Sequence, residues 1–160
     1  MNLRTTSLRQ ILLLVAILLG TSVRADSLSI MTFNVENLFD ARHDIGKDDR
    51  TYLPKELKTS AGHIESCQRI GVQRWRDQCL YWDWNDTIVD QKLKVVAEVI
   101  KQVGDGRGPD IVALQEVENI SILERLREQH LAGLEYQPGI LLEGKDRRGI
   151  DVAFLSRLPV

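Results

Sequence analysis

Pro109-Asp110-Ile111-Val112-Ala113-Leu114-Gln115-Glu116-Val117-Glu118-Asn119 is the stretch on which the fold turns. A Gly/Pro breaker precedes the uninterrupted apolar run Ile111 to Leu114. Such a run, bounded by turn residues, reads as a strand buried on both faces. It ends in Gln115 and Glu116, so a carboxylate stands where an interior strand surfaces. Loops at strand ends carry sites on a rigid base. Two readings of Glu116 follow. It is a strand-end charge meeting water, or it is a ligand for a hard cation, since Mg²⁺ takes one or two carboxylates and keeps several waters.

Upstream, Val89, Leu93, Val96, Ile100 and Val103 recur at helical spacing behind Thr87-x-x-Asp90, a capping-box variant. Gly104, Gly106, Gly108 and Pro109 stop that helix, and the whole reads as helix, turn and buried strand. Downstream, Ser121-x-x-Glu124 opens a shorter helix with Ile122, Leu123 and Leu126 inward. His130 falls at its C-terminal end, where the helix dipole favours an imidazolium. Residues 134–142 read as a strand broken at Pro138-Gly139, and Gly149 to Arg157 as a further strand after a polar turn. In that last strand Asp151 shares a face with Ala153 and Leu155, and a buried charge there needs a partner. Arg147 or Arg148 can supply it; these arginines are otherwise a solvated turn, or reach a substrate phosphate.

Ser27 to Val35 reads as a first strand. Leu28, Ile30, Thr32 and Asn34 alternate with Ser29, Met31, Phe33 and Val35, so both faces are partly apolar and a sheet covered on both sides is expected. Asn34 at its end is either a turn former or an amide that orients a neighbouring group or a phosphate oxygen. Glu36 offers a second ligand from the same edge.

Residues 40–84 show no clean periodicity and read as a long inserted loop, extending to about residue 85. Its acids lack the spacing of an EF-hand, which favours a solvated loop over a cation site. Cys67 and Cys79 are the two cysteines of the chain, and an even count in an exported protein points to a disulfide. A loop of that size is stabilised by about 3 kcal/mol when closed. Trp75, Trp82 and Trp84 gather with Tyr81 around the second cysteine. They read as a local mini-core, with a platform for nucleic-acid bases as the alternative.

Arg4 and Arg9, the apolar run Ile11 to Leu19 and the small-residue site ending in Ala25 make residues 1–25 a secretory signal peptide. The apolar run is short of the ~20 residues that span a bilayer, so no membrane span is expected. Cleavage after Ala25 leaves a secreted or periplasmic domain over residues 26–160. The first 25 residues hold three of the 21 basic residues and no acid, so their removal takes the formal charge from −2 to −5. Global attraction to a polyanion is thereby excluded, and a metal or a local basic patch has to supply the positive charge for any phosphate substrate.

Three ordered segments are distinctive together: Met31-Thr-Phe-Asn-Val-Glu36, Pro109 to Val117, and Arg148-Gly-Ile-Asp-Val-Ala-Phe-Leu-Ser-Arg157. With them the chain resembles the N-terminal half of the endonuclease/exonuclease/phosphatase family, and in particular bacterial exported members with a long loop like residues 40–84. The resemblance implies an α/β fold of four layers, two β-sheets face to face with helices outside. It implies a metal-dependent phosphoesterase, foremost a nuclease-type phosphodiesterase, using Mg²⁺ or else Mn²⁺ or Ca²⁺. Glu116 matches the family's metal-binding glutamate and Asn34 the asparagine beside metal and phosphate, which makes both catalytic candidates. Glu36 lies where some members carry a further acidic ligand. Arg148 and Asp151 remain substrate-binding candidates without a family role. The family's later Asp-x-Asn and Asp-His segments have no counterpart here, and His43, His63 and His130 lie outside any Ser-Asp-His setting. The expectation is an N-terminal part of a longer enzyme, inactive alone; the alternative is a secreted binding module that keeps the family shell. The sequence carries no signal of an oligomeric state.

Overall fold

The run Ile111 to Leu114 becomes the centre of a sheet. The computed structural model, which describes residues 27–159, places it in β2 (Ile111–Val117), with β1 (Ile30–Leu38) parallel on one side and β4 (Asp151–Ser156) antiparallel on the other. β3 (Ile140–Leu142) pairs with β4, so the order is β1-β2-β4-β3. Four α-helices accompany the sheet: α1 (Ala61–Gln68), α2 (Gln73–Tyr81), α3 (Asp86–Lys101) and α4 (Ile120–Arg125). This is the α/β class read from the sequence.

Alternation sorts the sheet into two faces. Met31, Phe33 and Val35 share one with Val112, Leu114, Ala153 and Leu155, the last four fully buried. α3 packs onto that face through Val89, Leu93, Val96 and Ile100, the predicted stripe, with Ala97 added. Val103 lies past the helix end and is partly exposed. α4 and the π turn Leu126–His130 that continues it add Ile122, Leu123, Leu126 and Leu131 to the same core. The caps differ from the reading above. Asn85 Oδ1 accepts from Thr87 N and Ile88 N, and Asn119 Oδ1 from Ile122 N. Each helix is capped two residues earlier than expected, because Asn85 and Asn119 hold the extended backbone of a cap while Thr87 and Ser121 already lie within the first turn.

The other face is open among the described residues. Ile30 is 62% exposed and Leu142 57%, so the sheet is covered on one side where two were expected. The second sheet of the four-layer arrangement is not among the described residues. The expected strand over 134–142 keeps only Ile140–Leu142; Ala132–Leu134 forms a 3₁₀ turn, and Pro138-Gly139 separates the two. The signal peptide expected over residues 1–25, with cleavage after Ala25, lies outside the described residues. No helix among those described is long and apolar enough to cross a membrane.

Residues 40–84 are not the featureless loop their pattern suggested. They hold 3₁₀ turns at Arg50–Tyr52 and Lys55–Lys58, then α1 and α2. Each of these helices buries one residue, its cysteine, which is why no apolar stripe announced it. They are stapled instead by the Cys67–Cys79 disulfide, with Cα atoms 5.6 Å apart. The Lys58 ammonium adds a second tie, donating to Thr51 O and Trp82 O at 2.7 Å each.

Candidate functional site

The site begins as a fault in the sheet. β1 and β2 pair regularly up to Asn34 and Gln115, and pairing resumes at Leu38 and Val117. Three residues of β1 therefore face one of β2, and Glu116 is also the extra residue against β4. Bulges of this kind re-aim side chains. Glu36, Asn37 and Glu116 all take left-handed backbone conformations there, at φ 54°, 64° and 66°.

The fault points the Glu116 carboxylate into a cluster of donors. Asn34 Nδ2 donates to its Oε1 at 3.1 Å, and the Asn37 backbone amide to its Oε2 at 2.9 Å. Asn34 is itself oriented, since its Oδ1 accepts from Glu36 N at 2.8 Å. Arg148 reaches the cluster through Asn37 Oδ1 at 2.9 Å, and its other guanidinium nitrogens bond Asp146. That ion pair holds the Asp146 carboxyl below the usual range and pushes Arg148 up. Lys92 on α3 donates to Glu36 O at 3.2 Å. Burial pushes Lys92 down, against the pull of Glu36 and Glu116.

Apart from Asp146, these groups line one cleft of about 1070 Å³. Asn34, Glu36, Glu116 and Arg148, all singled out from the sequence, meet in it. Asp151 does not. It is 5% exposed, Oδ1 accepts from Gly144 N, and Oδ2 is buried without a partner. Alternation places it with Ala153 and Leu155 on the helix-covered face, and neither Arg147 nor Arg148 reaches it. Asp151 anchors the turn before β4 and is not among the residues that line the cleft.

Glu118, two residues from Glu116, goes the opposite way. It is 2% exposed, and burial pushes its carboxyl up to about 9; the Asp40 amide opposes the rise, while the carboxylates of Asp40, Asp44 and Asp49 add to it. The histidines are engaged elsewhere: His43 Nδ1 with Asp49 at 2.7 Å, His63 Nε2 with Cys79 O at 3.0 Å, His130 Nε2 with Asp90 at 3.1 Å. None of them lines the cleft.

A divalent cation fits the donor set. The Glu116 oxygens each use one acceptor direction on a protein donor, the Asn34 carbonyl keeps a second lone pair, and the Glu36 side chain opens on the same cleft. Hard oxygen ligands with room for water suit Mg²⁺. Among the described residues, one trio of His, Cys, Asp or Glu side chains brings its ligand atoms within 4.8 Å, namely His63, Cys67 and Cys79, but its sulfurs are bonded to each other.

The sequence reading missed Asn37, Tyr52 and Lys92. Asn37 had a local signal, since asparagine tolerates a left-handed backbone. Tyr52 and Lys92 had none, because their place in the cleft depends on how residues 40–84 and α3 pack.

Residues 80–160 match the sequence model of the Endonuclease/Exonuclease/phosphatase family. The match takes in Glu116 and Arg148 and begins after Asn34. No curated protein and no solved structure matches the chain.

Proposed function

The chain belongs to the endonuclease/exonuclease/phosphatase family, and from that premise we propose that it carries the metal-anchoring side of a secreted, divalent-metal-dependent phosphodiesterase acting on nucleic acid. The observation that carries this reading is the Glu116 carboxylate, gripped by Asn34 and Asn37 at the mouth of the cleft. Members of the family are in general hydrolases of phosphate esters.

Glu116, with Asn34 and Glu36 beside it, would hold Mg²⁺, Mn²⁺ or Ca²⁺. Bound there, such an ion polarises a phosphoryl oxygen and offsets the charge that develops on it. The chain's own residues do the positioning. Asn34 and Asn37 fix the carboxylate before substrate arrives, so that little reorganisation is needed. Arg148, its guanidinium held by Asp146 and Asn37, presents fixed positive charge beside the carboxylate. Lys92 adds a cation from the helix side.

Water activation needs a base that these residues do not provide, so the chain alone binds metal without turning over ester. A second reading draws on the same fact: a secreted module that binds an anion and does not cut it. Titration of the purified chain with Mn²⁺, followed by electron paramagnetic resonance, tests the common premise. Binding lost in Glu116→Gln and weakened roughly tenfold in Asn34→Ala is expected. Unchanged binding in Glu116→Gln would remove the site. Hydrolysis of bis-(p-nitrophenyl) phosphate by the chain would show that a base is present after all.

A further inference from the structure

The cleft has a wall that phosphate chemistry does not use. Residues 40–84 line it with Tyr52, Trp75 and Trp82, in the same cleft as Lys92 and Arg148. Part of the aromatic group is a true mini-core. Trp84 is 4% exposed and its Nε1 donates to Phe39 O at 3.1 Å, while Tyr52 stacks on Phe39 at 4.0 Å. Trp82 stands on that base, 5.0 Å from Trp84 and 5.8 Å from Tyr52 between ring centroids, yet is 38% exposed. Trp75 is 59% exposed beside Arg74. Packing accounts for Trp84 and Tyr52; it does not account for a Trp82 indole braced by two rings yet open on the cleft, or for the more exposed Trp75 beside it in the same lining.

We propose that Trp82 and Trp75 form a stacking platform for unpaired bases of a single-stranded nucleic acid whose phosphate sits at Glu116. The inference rests on the phosphodiesterase reading of the same cleft. Single strands are held by aromatic faces combined with a cationic track, because every base has a π-face and every linkage a charge. The wall supplies the faces. The track continues past the cleft into a second pocket of about 590 Å³ containing Lys47, Arg50, Lys145 and Arg147. Asp48 lines both pockets and takes up Arg50 at 2.6 Å. Glu36 also opens on the cleft, beside the metal-binding carboxylate. Cations spread over two adjoining pockets suit consecutive phosphates, where a single headgroup needs one. A duplex keeps its bases stacked inside and offers the indoles no face.

The test uses the full chain with Mn²⁺ and a fluorescein-labelled oligothymidylate, read by anisotropy and by quenching of tryptophan emission. The single strand binds with quenching, and Trp75→Ala and Trp82→Ala each weaken it roughly tenfold, in the range of one stacked base. Mn²⁺ binding persists in both variants. Trp75 is 59% exposed and belongs to no buried cluster, so its replacement keeps the test decisive where Trp82→Ala fails to fold. Equal or tighter binding of the paired duplex, unchanged affinity in both variants, or binding to phosphoinositide vesicles with none to the oligonucleotide would each overturn the proposal. Failure of the unsubstituted chain to bind Mn²⁺, or Mn²⁺ binding unchanged in Glu116→Gln, would instead strike the phosphodiesterase reading, and Mn²⁺ binding without oligonucleotide binding the platform alone.

Discussion

Asn37 and Glu116, on neighbouring parallel strands, both take left-handed backbone conformations, and the Asn37 amide donates to Glu116 Oε2 at 2.9 Å. Neither is glycine, and such a backbone costs about 1–3 kcal/mol at a residue with a Cβ. Regular pairing on both sides of the fault holds the two residues in place. The strain is what turns a carboxylate out of the sheet and onto its donors.

Glu116→Gly and Glu116→Ala separate that strain from the side chain's role. Both lose the carboxylate. Glycine alone relaxes at φ 66°. In urea denaturation the glycine variant should exceed the alanine variant by about 1 kcal/mol. Equal stabilities would mean that the fault stores no strain.

Gly108 is a purely structural counterpart. Its φ is 67°, and a Cβ there would stand 2.8 Å from Tyr136 Oη and 3.1 Å from Leu134 Cδ1. That hydroxyl is buried and donates to Pro109 O at 2.7 Å. Gly108→Ala should cost about 2–3 kcal/mol in denaturant unfolding. Adding Tyr136→Phe removes the clashing oxygen, so the double variant should lose less than the two singles together. Strict additivity would show that the hydroxyl is not the obstacle.

Lys58 makes stability depend on pH. It is 4% exposed, and burial lowers its ammonium from 10.5 to about 8, with Asp83 opposing. Between those values the folded chain binds fewer protons than the unfolded one, so this residue's contribution grows as pH rises through the window and is lost as pH falls through about 8. Relative to Lys58→Met, which cannot titrate, the wild-type chain should gain up to about 3 kcal/mol over that range. A flat difference would place the ammonium in water.

The disulfide should matter to the insertion more than to the sheet. Cys67 and Cys79 are 12 positions apart, and opening that loop costs about 3 kcal/mol. Because α1 and α2 bury little else, Cys67→Ser with Cys79→Ser should expose the amides of residues 61–81 to hydrogen exchange while β2 stays protected. Equal loss of protection in β2 would make the two regions one cooperative unit.

Much of the architecture could be read along the chain. The α3 stripe, the apolar run of β2 and the alternation of β4 are local patterns, and burial follows local pattern closely. The disulfide followed from counting. Asn34 and Glu116 came from their positions in ordered motifs. Residues 61–81 could not be read, since helices held by a covalent bond and by one lysine need no stripe. Alternation put Asp151 on one face with Ala153 and Leu155, but only the fold showed that its partner is the Gly144 amide and that it stays out of the cleft lining.

Periodicity, composition and motif order were therefore enough to identify the α/β class, the family and the residues worth watching. Whether Glu116 faces solvent while Glu118 is buried, which backbone amide grips it, and which tryptophans open on the cleft were settled by folding alone. Strand pairing joins residues some 80 positions apart, and a fault in that pairing re-aims side chains while leaving only a faint local mark, Asn37.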